Sequence, residues 1–211
     1  MYYTVNGSGA PLVLLHGNGE DHSIFDKLSE KLRADFTLYA IDSRNHGKSE
    51  MTGLYSYETM AEDVYQFIKA LNLGKVNLIG FSDGGIIGLI LAMRHGEVLN
   101  RAALLGVNLK PGDFLEECYA YNLAEYEKTG DPLYKMMLEE PNIELDDVRG
   151  VQLPVLIVAA GDDIYKPGMF EELAAALPRG ELLTMQGHNH ESYIVGSDLL
   201  YPDLRTFFSR Q

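Results

Sequence analysis

The segment Gly80-Phe81-Ser82-Asp83-Gly84-Gly85 places a serine between an apolar run and a stretch of helical spacing. A serine hydroxyl attacks a carbonyl carbon once a base takes its proton, and the base needs an acid to fix its tautomer. G-x-S-x-G alone is a weak signal; its context makes it informative. At a sharp strand-to-helix turn the central residue adopts a strained backbone that only small neighbours tolerate, and Gly80 and Gly84 are small. Such a turn lifts the Ser82 hydroxyl above the sheet edge, beside helix N–H groups that favour an anion.

His16-Gly17-Asn18-Gly19 follows another apolar run. Acyl transfer develops negative charge on the carbonyl oxygen, and two fixed N–H donors there stabilise the transition state by several kcal/mol (about 3 per donor). The backbone N–H groups of Asp83 and Asn18 are the expected pair. His16 is expected to hold its loop by hydrogen bonds rather than to act as base. For the acid, Asp162 and Asp163 follow the run Pro154–Ala160; for the base, Gln186-Gly187-His188-Asn189-His190 offers two histidines. The residues alone leave both choices open. A metal pair at His188 and His190 is not expected, because nothing nearby supplies further zinc ligands. Gly47-Lys48-Ser49 suggests a phosphate loop, but that motif needs glycine at position 42, which holds Asp42.

The elements needed to position these groups are legible as alternating runs. Buried strands are expected at Pro11–His16, Phe36–Asp42, Val76–Phe81, Arg101–Val107, Pro154–Ala160 and Glu181–Met185. Several are apolar at almost every position, as in strands covered on both faces. Helices are expected near Ser23–Arg33, Tyr57–Leu71, Gly84–His95, Gly168–Leu177 and Asp198–Phe208. In the second, Met60, Val64, Phe67, Ile68 and Leu71 share a face, Ser56 is placed to cap its start, and Glu58 lies near the positive dipole end. The Tyr-, Glu- and Met-rich stretch from 110 to 149 reads as two or three short helices forming a cap, inserted in a single domain spanning 1–211. Its Phe114, Tyr119, Tyr121, Tyr126, Tyr134, Met136, Met137 and Leu138 are expected mostly to pack the cap on the core.

A chain of 211 residues with 46% hydrophobic and 23% charged residues suits one globular α/β domain. Its net charge of −14 opposes phosphate backbones and anionic lipid, so neither nucleic acid nor membrane is expected as partner. The N-terminus lacks a basic segment followed by an apolar one, and no apolar run approaches membrane-spanning length, so a cytoplasmic location is expected. The single cysteine, Cys118, excludes an intramolecular disulfide and reads as a small apolar side chain.

The order HGNG, Asp42-Ser43-Arg44-Asn45-His46-Gly47-Lys48-Ser49, GFSDGG, an acidic loop and then histidine resembles the α/β-hydrolase fold family over nearly the whole chain. The likeness is strongest to small bacterial serine hydrolases with a short helical cap. It implies a mostly parallel sheet flanked by helices, and the chain order nucleophile, acid, histidine. Counting within the family's acidic loop selects Asp163 over Asp162. Counting back seven residues from a final helix starting at Ser197-Asp198 selects His190 over His188. Two departures stand out: Asn45 replaces a usual glycine, and the N-terminus leaves room for one edge strand before Pro11. The implied activity is hydrolysis of a small carboxylic ester or related acyl substrate through an acyl-enzyme, without a cofactor. Lactone, thioester or carbon–carbon hydrolysis and perhydrolysis would use the same triad; a non-catalytic ligand binder would be a member of another class.

Overall fold

The computed structural model describes residues 1–210. Seven strands form one sheet in the order β1-β3-β2-β4-β5-β6-β7. They are β1 (Tyr3–Gly7), β2 (Ala10–Leu15), β3 (Phe36–Ile41), β4 (Val76–Phe81), β5 (Leu99–Leu105), β6 (Val155–Asp162) and β7 (Gly180–Asn189). All neighbours pair in parallel except β1, which runs antiparallel on β3 and is the edge strand expected before Pro11. The α-helices are α1 (Asp26–Leu32), α2 (Tyr57–Ala70), α3 (Asp83–His95), α4 (Glu116–Thr129), α5 (Pro132–Glu139), α6 (Met169–Ala176) and α7 (Tyr201–Ser209).

Strand alternation divides the core in two. Val13 and Leu15 face α2, α3 and α6, whereas Leu12 and Leu14 face α1 and α7. With both faces covered, β4 is buried at every position, which is why its sequence is apolar almost throughout.

Four expectations need adjusting. The stretch expected as a helix from Ser23 opens as a 3-10 turn over His22–Phe25, capped by the Asp21 carboxylate accepting from the Ser23 N–H. Strand β7 extends four residues beyond Met185, to Asn189. The final helix starts at Tyr201, with Pro202 in its first turn, rather than at Asp198. Ser56 occupies the N-cap of α2 but makes no side-chain cap; the Tyr57 N–H instead donates to Glu140 Oε2 at 3.0 Å. Glu140 closes α5 within the insert between β5 and β6, so that insert caps α2.

The chain steps from β2 outward to β3 and then crosses back to β4 on the other side of β2. The carboxyl ends of β2 and β4 therefore flank the point where the direction of winding reverses, the place where open α/β sheets hold ligands. Asn18 follows one of these strands and Ser82 the other.

Candidate active site

Ser82 sits between β4 and α3 with φ 51° and ψ −115°. Positive φ in a non-glycine residue costs on the order of 1–3 kcal/mol and persists only where neighbours enforce it. The enforcement is visible. The Ser82 N–H donates to the Leu105 carbonyl at 2.8 Å and its carbonyl accepts from the Gly85 N–H at 2.8 Å. A side chain at Gly80 would collide with the Gly84 carbonyl, and one at Gly84 with the carbonyl oxygens of Leu15 and His16. Gly84→Ala is therefore expected to destabilise the fold by about 2 kcal/mol or more, read as a lower urea midpoint.

The Ser82 hydroxyl lies 3.2 Å from His190 Nε2, and His190 Nδ1 lies 2.8 Å from Asp163 Oδ1. Asp163 is fixed by two backbone donors, Ala160 N–H at 2.9 Å and Ile164 N–H at 2.8 Å. With the imidazole proton on Nδ1, Nε2 is free to accept from the serine. The ring packs over Phe81 (centroids 5.0 Å apart) and edge-on to Tyr165 (5.5 Å). Beneath it lies Gly106, where any Cβ would press on the imidazole, 2.5 Å from Cε1.

The alternatives lie elsewhere. Asp162 is exposed at the end of β6, paired in register with Asn189. His188 turns to the Ser192 hydroxyl at 3.1 Å. The spacing rule that selected His190 assumed a helix start three residues too early, so the residue beside Ser82 came from a miscounted landmark.

Asn18 and Asp83 flank Ser82, and among the described residues neither backbone N–H donates to a protein acceptor. Their side chains bond to each other: Asn18 Nδ2 donates to Asp83 Oδ2 at 2.9 Å, and the Tyr57 hydroxyl donates to Asp83 Oδ1 at 2.8 Å. Burial pushes the Asp83 carboxyl above its ordinary range, opposed by these two donors. Burial likewise keeps the hydroxyls of Tyr57 and Tyr165 protonated, well above the usual phenol range.

His16 holds the loop as expected, with Nδ1 2.7 Å from the Gly17 carbonyl and Nε2 accepting from the Ser43 N–H at 3.1 Å. Burial lowers its pKa to about 4. A depressed pKa means that stability is complete above the unfolded value near 6.5 and is lost as pH falls through 4, by about 3 kcal/mol at full protonation. Glu20 has the opposite sign. Its carboxyl accepts from the Gly17 N–H at 2.8 Å, and burial raises its pKa to about 7, so its contribution is complete below about 4.5 and lost as pH rises through 7. Glu20→Gln should thus be stabilised relative to wild type more at pH 8 than at pH 5, checked by thermal melts at both pH values. Melts with equal offsets would contradict it.

Two further features complete the surroundings. Asn45 takes φ 64° and uses its side chain to accept from the Thr52 N–H and donate to the Leu54 carbonyl, so the loop tolerates the missing glycine. In the insert, Phe114 and Met136 are buried, whereas Tyr121 is 60% exposed and points away from the core. Cys118 is partly buried, and burial with the nearby Glu117 and Asp163 charges raises its thiol pKa, which disfavours the reactive thiolate.

Sequence reading missed Tyr57, Glu20 and Tyr165. Gly17-x-x-Glu20 had the spacing of a carboxylate reaching back to an N–H three residues earlier, so that contact was readable. Tyr57 reads as an ordinary apolar helix position, and nothing local marks its hydroxyl.

The model of the family described as "alpha/beta hydrolase fold" matches residues 10–135, more than half of the chain. RutD of Pantoea ananatis is 26% identical over 258 residues, spanning 100% of this chain and 94% of that protein. The soluble epoxide hydrolase of a Corynebacterium species is 36% identical over 118 residues, 54% of this chain and 41% of its own. The structure of olei00960, a hydrolase from Oleispira antarctica, superposes with a TM-score of 0.86 at 19% identity, covering 99% of this chain and 94% of that one. Likeness at that identity speaks to fold, and the family match carries the conclusion: the chain belongs to the α/β-hydrolase fold family.

Proposed function

We propose that this chain is a serine hydrolase that cleaves a small carboxylic ester or related acyl substrate through an acyl-enzyme. The observation that carries the reading is the continuous line from Ser82 Oγ through His190 to Asp163, on a backbone that holds Ser82 at positive φ. In this reading His190 Nε2 takes the Ser82 proton as Oγ attacks the carbonyl carbon, and then gives that proton to the leaving alkoxide. The N–H groups of Asn18 and Asp83 receive the oxyanion, and Asp163 stabilises the imidazolium. Water, activated by the same histidine, releases the acid and restores Ser82. No metal or redox group enters these steps.

The partner is a small acyl molecule rather than nucleic acid or membrane, and the location is cytoplasmic. The acidic charge supports the first of these. Among the described residues no helix is long and apolar enough to cross a membrane.

Rapid mixing with p-nitrophenyl acetate and butyrate tests the reading. The expected result is a burst of p-nitrophenol near one equivalent per enzyme, followed by slower turnover. Absence of both burst and turnover on these esters and on a lactone, thioester and perhydrolysis panel would move the reading to a ligand-binding member of the fold.

A further inference from the structure

The two N–H groups assigned to the oxyanion come from different parts of the chain, the loop after β2 and the first residue of α3. An oxyanion hole lowers the barrier only if both donors are fixed before charge develops, since reorganisation during the reaction would consume the gain. Asn18 lies on a loop beside Gly17 and Gly19, and Gly19 adopts φ 70°. Glycine-flanked backbone does not fix itself.

We propose that Asn18, Asp83 and Tyr57 form a side-chain clamp that sets the oxyanion hole, with Tyr57 and the Asp83 carboxylate as positioning residues. This rests on the serine-hydrolase reading above. Three observations support it. The residues that present the two N–H groups are joined through their own side chains at 2.9 Å. The shared carboxylate is 4% exposed, and both of its oxygens are bonded, one to Asn18 and one to the Tyr57 hydroxyl. Tyr57 is itself fixed: it is 1% exposed and is the first residue of α2, where its N–H donates to Glu140 at the end of α5 in the insert. The clamp therefore ties the loop after β2, α3 and α2 to one another, and anchors them to the segment between β5 and β6.

A carboxylate buried this deeply is costly unless its acceptors are satisfied. The Tyr57 hydroxyl and the Asn18 amide are the side-chain donors that satisfy it. Removing either leaves a buried oxygen unpaired and lets the Asn18 loop move relative to α3.

The test uses Tyr57→Phe, Asn18→Asp and the double exchange Asn18→Asp/Asp83→Asn. Tyr57→Phe keeps the ring and deletes one donor. Asn18→Asp sets two carboxyl groups against each other, and rotating either one supplies no N–H donor. The double exchange restores a donor–acceptor pair with its polarity reversed, and the amide oxygen then at position 83 can still accept from the Tyr57 hydroxyl. With p-nitrophenyl butyrate, kcat is expected to fall about 10-fold in each single variant with KM within about 2-fold, since the hole acts on the transition state. The double exchange should recover most of the loss left by Asn18→Asp. Amide hydrogen exchange over residues 17–20 should quicken at least about 10-fold in Tyr57→Phe, as expected for a loop released from its tether.

Single variants with wild-type kcat and wild-type exchange, whatever their melting temperature, would overturn the clamp. So would an Asn18→Asp loss that the double exchange deepens. If the wild-type protein turns over no acyl substrate, the functional reading fails alone, and the exchange data still decide whether the clamp holds the loop.

Discussion

Ser82→Ala is expected to lower kcat on a short-chain ester by about 10⁵-fold, with KM and the far-ultraviolet spectrum essentially unchanged. The change removes one oxygen and its 3.2 Å contact with His190, while β4, the turn and α3 remain. The adjacent Asp83 carboxyl does not take over the attack, because it is committed to Tyr57 and Asn18. Residual rate on the order of 10³-fold over water would come from the N–H donors and substrate positioning alone. Alanine also has a Cβ, so the positive φ at position 82 is retained and stability should move little. A loss of only a few-fold at saturating ester would mean that another group carries the attack.

The second large effect separates the histidines. His190→Ala is expected to cost about 10⁴-fold or more in kcat, because without a base the hydroxyl stays a poor nucleophile. His188→Ala should change kcat less than about 3-fold, since its contact is with Ser192 on the surface turn. His190 is 7% exposed, packed between Phe81 and Tyr165 above Gly106, so its deletion also leaves a cavity. His190→Gln fills most of that space and should be as inactive as the alanine variant but more stable. Equal activity of the two histidine variants would break the assignment.

Much of the site was readable because its chemistry is local. Gly80 and Ser82 mark the turn locally, since a Cβ at Gly80 would meet the Gly84 carbonyl four residues on, whereas the demand for glycine at 84 comes from the distant carbonyls of Leu15 and His16. Asn18 was readable for a similar reason, lying in a glycine-flanked loop directly after a strand. The acid and the base were harder. Asp162 and Asp163 differ only in which way a turn directs them, and that direction is set by the Ala160 and Ile164 N–H groups holding Asp163. His188 and His190 are two positions apart, so alternation along an extended segment could not separate them; in the structure β7 ends at Asn189 and His190 stands in the turn after it. The family spacing did so, yet through a helix start that lies at Tyr201 instead of Asp198.

What stayed hidden is tertiary. The sequence places Tyr57 on the buried face of α2, where an apolar ring suffices, and only the fold reveals that its hydroxyl meets Asp83 across 26 positions of chain. Ser56 looked like the cap of that helix by residue type. Glu140, 83 residues from Tyr57, took the role because the insert brings a stronger, charged acceptor to the same N–H. Local propensity gives way where a distant group offers the better hydrogen bond.

The most direct measurement is reaction of the purified protein with a fluorophosphonate, followed by mass spectrometry of its peptides. The account predicts one adduct, on Ser82, formed at a rate that collapses in His190→Ala and persists in His188→Ala. An unlabelled protein, or a label on any other residue with Ser82 unmodified, would contradict the claim that Ser82 is an activated nucleophile.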